Sequence, residues 1–305
     1  MGTIEVQTEQ ELEKRSERYL QSAAKAAGVY APSSMRSALR RHWPEYLMEA
    51  AELGIFMIVA CLLAAVIDYS ASPVRQAIPN DFVRRFIFGL AMGLTAIAIV
   101  YSPWGKQSGA HFNPAVTLTF FRLGKVAPWD AFFYMIAQFV GGVLGVILSA
   151  IMLGNIIAAP TVNYVATVPG REGVLAAFVA EVVIAFILMS VVLTASNTER
   201  LAKYTGLFAG ALVATFITFE APLSGMSMNP ARTLASALPG QIWNGLWVYF
   251  TAPVIGMMLA SSMHLSIKGE KRVACAKLHH QNKKRCIFCA FQNEKRQAGP
   301  PATSF

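Results

Sequence analysis

The stretches SGAHFNPAVTLTF, residues 108–120, and SGMSMNPARTLASAL, residues 224–238, are two versions of one motif. Each contains Asn-Pro-Ala, which begins at Asn113 in the first copy and at Asn229 in the second. Asn is a preferred helix N-cap, and Pro is favoured directly after the cap because its φ is preset and it has no N–H to leave unpaired. Each copy therefore predicts a helix that begins at Asn-Pro.

These two predicted helices, residues 113–123 and 229–238, are too short to cross a bilayer, because a spanning helix needs about 20 residues. The composition is nevertheless that of a membrane protein, with 305 residues of which 55% are hydrophobic and 14% charged, and a mean hydropathy of +0.46. We predict an all-α membrane protein with two half-helices and six transmembrane helices. The predicted spans are residues 46–67, 83–101, 129–153, 174–195, 201–219 and 243–265.

The chain divides into two similar halves, residues 44–153 and 174–266, each with three spans and one half-helix. Because three is odd, the halves have opposite orientations in the membrane, as in inverted-repeat transporters. The two half-helices then meet end to end near the midplane. Irregular backbone at that depth is tolerated only where it is buried in protein or lines a watery cavity. Two positive dipole ends at this point disfavour cations, including protons.

Lys and Arg residues of the short loops predict the orientation. They place both the N-terminal tail, residues 1–43, and the C-terminal tail, residues 267–305, in the cytoplasm. The channel domain, residues 44–266, is predicted to lie in the inner or plasma membrane of the cell. The net charge of +9 is concentrated in the two tails. It therefore indicates no nucleic-acid partner.

The motifs SGAHFNPAVT and SGMSMNPAR, the AQFVGG of the third span and paired glutamates in the first and fourth spans resemble the aquaporin, or major intrinsic protein, family over about residues 45–266. This resemblance implies a pore within each chain, a homotetramer, and transport of water or small neutral solutes. Asn113 and Asn229 would be central hydrogen-bond donors, and Arg232 would be the fixed cation of a constriction. His111 is also predicted to line the pore.

The family also implies supporting residues. Glu52 and Glu181 would accept backbone N–H bonds from the half-helix loops, whereas Glu49 and Glu220 have no counterpart and are predicted to be exposed near a membrane edge. The remaining motif residues that support the half-helices are Pro114, Ala115, Pro230 and Ala231.

The predicted constriction departs from that of water-selective aquaporins, which usually have an aromatic residue and a His there. Met92, Ile217 and Met226 stand at these positions, and a register shifted by one residue would instead give Gly93 or Thr218. The physiological solute therefore stays open between water and glycerol-like molecules.

The C-terminal tail carries potential zinc ligands, since thiolates and imidazoles are the groups that zinc prefers. The alternative is a set of reduced thiols on a solvated tail, with no cofactor. The candidate ligands are Cys275, His279, His280, Cys286 and Cys289.

The sequence is compatible with three functions. A passive channel is favoured over an ion-coupled secondary transporter, because the spans lack an ionisable relay. A channel gated by a metal-sensing or redox-sensing tail is an extension of the first function. No nucleophile–base pair indicates an enzyme.

Overall fold

A computed structural model describes residues 34–269 and 273–291, and within these ranges all regular structure is helical. The predicted all-α fold is confirmed. Six helices in the described part of the chain are long and apolar enough to cross a membrane, one of them when counted from Ala202 to Phe219. The main helices are α1 Met35–Ile67, α2 Asp81–Tyr101, α3 Pro114–Arg122, α4 Pro128–Leu153, α5 Gly173–Ser196, α6 Thr205–Phe219, α7 Pro230–Gly240 and α8 Leu246–Lys268.

The first helix begins at Met35 and not near residue 46, so the predicted boundary after residue 43 lies inside α1. Ser34 caps this helix by accepting from the Ser37 N–H. The polar start of α1 is fixed to α4, because His42 Nδ1 lies 2.8 Å from an Asp130 oxygen. Hydropathy marks only the apolar part of a helix, and here the helix continues beyond it.

Corresponding helix pairs of the two halves pack closely through glycine. In the first half, a Cβ on Gly141 of α4 would lie 2.0 Å from the Ala50 carbonyl oxygen of α1. In the second half, a Cβ on Gly256 of α8 would lie 2.3 Å from the Val182 carbonyl oxygen of α5. Both contacts require a residue without a side chain, which explains Gly141, the first glycine of the AQFVGG motif.

The half-helices α3 and α7 meet at their N-termini. The side-chain amide of Asn113 donates to the Met228 carbonyl at 2.7 Å, and that of Asn229 donates to the Phe112 carbonyl at 2.7 Å. These reciprocal bonds join the two loops that precede the half-helices. The helix α7 ends at Gly240, with Pro239 inside its last turn and Gln241 in the left-handed conformation after it. Pro239 therefore lies within the helix, which continues two residues beyond the predicted end at residue 238.

Candidate functional site

The two loops before the half-helices have the same backbone conformation. In the first loop Gly109, Ala110 and Phe112 have φ values of 109°, 56° and 31°. Their counterparts in the second loop are Gly225, Met226 and Met228, with φ values of 82°, 52° and 53°. A left-handed conformation costs roughly 1–2 kcal/mol for a residue with a side chain, so the surroundings must hold both loops in place.

Buried carboxylates provide this support. Glu181 accepts from the backbone N–H groups of Ser227 at 2.6 Å and Met228 at 2.7 Å, as predicted. In the first loop the equivalent acceptor is Glu49, which accepts from the N–H groups of His111 at 2.9 Å and Phe112 at 2.7 Å. Both glutamates are 0% exposed.

Two predictions about the other glutamates are corrected. Glu52 does not accept backbone N–H bonds from the loop; it accepts from the Ser108 hydroxyl at 2.8 Å. Glu49 is not exposed at a membrane edge, because it faces the loop from one helical turn before Glu52. A signal was available in the sequence: an aromatic residue precedes both Glu49 and Glu181 by three positions. Glu220 is also not exposed, since both its carboxylate oxygens are buried.

A cavity of about 260 Å³ runs past the junction of the half-helices. We call the end near residues 161–166 its loop end and the end near Leu278 its tail end, because these segments line the two ends. Asn113 and Asn229 lie on the wall between them. Each Asn oxygen caps its own half-helix, at 2.9 Å from Ala115 N and 3.0 Å from Ala231 N.

The Pro and Ala residues of the two Asn-Pro-Ala motifs form the first turn of each half-helix. Pro114 and Pro230 are the first residues of α3 and α7. Ala115 and Ala231 follow them and are fully buried. A primary amide has two N–H donors, so each Asn keeps one donor beyond the bond that joins the loops.

The predicted constriction residues lie together on the cavity wall toward the loop end: Met92, Ile217, Met226 and Arg232. The alternative register does not hold, because Gly93 packs against the Gly210 carbonyl and Thr218 donates to the Ala214 carbonyl. Arg232 donates from Nη1 to the Val165 carbonyl at 2.8 Å. A carbonyl from the loop between α4 and α5 therefore orients this guanidinium.

His111 lies on the cavity wall, as predicted, but its ring is held by the C-terminal tail. Its Nε2 donates to the Ala276 carbonyl at 2.7 Å. The Phe288 ring stacks on it, with centroids 5.4 Å apart and planes 4° apart. Leu278 of the same tail lines the cavity. The sequence contained no signal for this contact.

The structure brings together four of the five candidate zinc ligands. Ligand atoms of Cys275, His280, Cys286 and Cys289 all lie within 4.8 Å of one another. His279 is not part of this cluster, because its ring packs against Tyr101 with centroids 5.0 Å apart. Neighbouring side chains diverge in this non-helical segment, and the sequence spacing alone could not tell the two histidines apart. Burial and the charge of Lys106 lower the pKa of His279.

Six spanning helices in an inverted repeat, with two half-helices that meet beside a cavity, define a membrane channel. A sequence profile of the major intrinsic protein family matches residues 37–264, and the chain belongs to this family. It is a channel for water and small solutes, and not an enzyme. The alternative of an ion-coupled transporter has no support from this membership.

Plant relatives are similar over most of the chain. The chain is 31% identical to "Aquaporin NIP2-3" of Zea mays over 258 residues, 84% of this chain and 81% of that protein. It is 35% identical to "Aquaporin NIP2-2" of Zea mays over 219 residues, 71% of each chain. The X-ray structure of the aquaglyceroporin from Plasmodium falciparum superposes with a TM-score of 0.59 at 20% identity, and covers 72% of this chain and 94% of that chain. This last likeness shows the fold alone.

Proposed function

We propose that this channel conducts water and small neutral solutes of glycerol size down their gradients, and that it excludes protons and other ions. The observation that carries this proposal is the composition of the constriction. Three of its side chains, Met92, Ile217 and Met226, are apolar, and Arg232 is its one charged member.

An apolar constriction favours solutes with an apolar face. Water that passes it loses hydrogen-bond partners, and little beside Arg232 and the backbone carbonyls replaces them. A glycerol-like molecule loses less, because its carbon side can lie against Ile217. Methionine is unbranched and flexible, so Met92 and Met226 can yield to a solute wider than water. These contacts support incomplete exclusion of small neutral solutes.

Ion exclusion is supported by fixed charge at two depths. The Arg232 guanidinium lines the cavity, where the low dielectric of the protein strengthens its repulsion of cations. Deeper in the pore, the N-termini of α3 and α7 meet at Asn113 and Asn229. The positive ends of both helix dipoles add to the barrier. A neutral solute experiences neither effect.

We also propose a homotetramer in a cell membrane, with both termini in the cytoplasm. The orientation is supported by positively charged residues in the connections and at a helix end on the side of the termini, namely Lys106, Arg122, Lys125, Arg200 and Lys203. The names of the plant relatives, which are aquaporins, support water as a solute.

The test is reconstitution of the purified full chain and of a Leu278→Ala variant, whose tail-end mouth is wider, into phosphatidylcholine liposomes. Light scattering after an osmotic step measures water flux and the entry of glycerol, urea and hydrogen peroxide. We expect fluxes above those of empty liposomes that do not saturate and need no ion gradient. Passage of water with full exclusion of all three solutes contradicts the solute range. A strict requirement for an ion gradient contradicts the channel mechanism.

A further inference from the structure

Four side chains of the C-terminal segment, residues 273–291, converge on one point at the tail end of the pore. Cys275 Sγ lies 3.5 Å from Cys286 Sγ and 3.7 Å from Cys289 Sγ. Cys289 Sγ lies 3.9 Å from His280 Nε2. We call these four residues the Cys₃His cluster.

The distances fit a tetrahedral zinc ion. Two sulfurs about 2.3 Å from such an ion lie about 3.8 Å apart, close to both sulfur separations in the cluster. The sulfurs are too far apart for a disulfide, whose S–S bond is about 2.05 Å. Three thiolates and one imidazole also leave no open position, which is the arrangement of a structural zinc site. We infer that the Cys₃His cluster binds Zn²⁺, with release of the thiol protons to solvent, and thereby fastens residues 273–291 into the tail-end mouth as a plug.

The cluster joins the two parts of the segment that enter the channel. Cys275 belongs to the stretch that ends at Leu278. Cys286 directly precedes, and Cys289 lies in, a short helical turn of residues 287–291 that contains Phe288. Phe288 is 1% exposed and packs on His111. A metal ion bound to ligands from both parts would hold them in one fixed arrangement.

The first part of the segment closes the pore. The Leu278 N–H donates to the Gly109 carbonyl at 3.1 Å, and the Lys277 ammonium donates to the Lys106 carbonyl at 2.8 Å. These bonds bring the Leu278 side chain onto the wall of the cavity, which Val100 and Val192 also line. An apolar side chain at this place obstructs the exit of a polar solute.

A charged contact adds to the attachment. Arg285 donates to the Arg41 carbonyl at 2.9 Å, and its Nε lies 3.7 Å from a carboxylate oxygen of Glu45. Glu45 is 0% exposed, so Arg285 provides a cation for a buried acid of α1. The plug is thus attached by one ion pair, several hydrogen bonds and the metal. Loss of the metal breaks the bonds between the ion and its four ligands and leaves the hydrogen bond from Lys277 to the Arg285 carbonyl as the remaining described link between the two parts. The weakened plug then leaves the mouth, and the channel opens.

The zinc site is tested on the purified full chain by metal analysis and by competition with a chromogenic zinc chelator. We expect one zinc ion per chain in the wild type and in His279→Asn, the matched control. His280→Asn removes a ligand, and we expect its zinc affinity to fall by more than about 100-fold, the upper end of what loss of an outer-shell partner costs. Three outcomes each contradict the zinc site. The two histidine variants bind zinc equally well, the wild type contains no zinc, or two of the cysteines of the wild type have formed a disulfide.

The gate is tested by water permeability in liposomes before and after a membrane-permeant chelator. If about 90% of the channels are closed with zinc bound and all are open without it, chelation raises water permeability by about tenfold. We expect this increase, and we expect added zinc to reverse it. Leu278→Ala should bind zinc like the wild type but be permeable with zinc bound. Permeability that stays constant while zinc leaves overturns the gate.

The gate rests on the proposed channel function, but the zinc site does not. If every sample, including Leu278→Ala, is as impermeable as empty liposomes, the channel function and the gate both fail. The metal analysis then still decides the site. Cys61→Ser is the control for loss of a thiol, because Cys61 is buried in α1 apart from the cluster.

Discussion

The loop end and the tail end of the pore are built on the same repeat but have different chemistry. Five of the six positions that begin at Asn113 and Asn229 are identical in the two halves, and at the remaining position Val116 stands where the second half has Arg232. At the loop end the Val165 carbonyl orients the guanidinium. At the tail end the Ala276 carbonyl binds His111, and Leu278 covers the wall. The repeat determines the backbone of both loops, and segments outside it decide what each end does.

The largest expected effect is loss of loop support. Glu49→Ala leaves the backbone N–H groups of His111 and Phe112 without their acceptor and removes one of the two acceptors of the Gln138 amide, and each unpaired buried donor costs about 1–3 kcal/mol. We therefore expect a loss of about 3 kcal/mol or more, read as a large fall in the thermal unfolding temperature in detergent.

Two further variants calibrate this result. Glu181→Ala should be as harmful as Glu49→Ala, because Glu181 has the same role in the second loop. Glu52→Ala should cost less, because one hydroxyl is its hydrogen-bond partner. If Glu52→Ala is the more harmful variant of the first half, the assignment of loop support to Glu49 is wrong.

The next effect concerns the loop end alone. Arg232→Val gives the second half the residue type that the first half has at Val116. It also removes a positive charge whose repulsion of a cation is about 4 kcal/mol at a distance of about 4 Å and an effective dielectric of about 20. Loss of a third of this barrier raises proton flux about tenfold. A pH-sensitive dye inside liposomes measures the flux. Proton flux equal to that of the wild type would mean that the half-helix dipoles alone exclude cations.

A smaller effect is expected for solute range. Met92→Phe combined with Ile217→His narrows the constriction and adds a hydrogen-bonding group. We expect glycerol flux to fall by about tenfold, which corresponds to an increase of about 1.4 kcal/mol in the barrier to glycerol. Water flux should change less. Parallel measurements of both fluxes in one liposome preparation give the ratio. A ratio that does not change contradicts the proposed role of the constriction.

The smallest effect tests the symmetry of the halves. Tyr134 donates to the Ser108 carbonyl at 2.8 Å and Tyr249 donates to the Ser224 carbonyl at 2.6 Å. Replacement of either by Phe should cost about 1 kcal/mol and lower the unfolding temperature equally. Because Tyr134 also packs against Phe288, a larger loss for Tyr134→Phe that disappears in a Phe288→Ala background would assign the difference to the plug.

The parts of the structure that depend on local chemistry could be predicted from the sequence. The helix starts at Asn113 and Asn229 follow from capping alone, and hydropathy located the spans. The choice between Glu49 and Glu52 could not be made by composition, because both lie on α1 and the rotation of that helix against the loop decides which one reaches the N–H groups.

The tail was the part least accessible to sequence reasoning. Its cysteines indicated a metal site, but the insertion of Leu278 and Phe288 depends on contacts with residues far away in the sequence, such as Gly109 and His111. The segment has no hydrophobic periodicity that would predict burial. The start of α1 was missed for a related reason, since its polar first turns are fixed by Asp130 of another helix.

The tail belongs to the same polypeptide as the mouth it fills, with Lys268 the last residue of α8 and Val273 already buried in the tail. So short a connection keeps the segment at an effective concentration of about millimolar or more. Its occupancy of the mouth is therefore independent of how many copies the membrane holds, and each pore is blocked by its own chain. A segment that has left the mouth also cannot diffuse away, so the same molecule can be closed again many times.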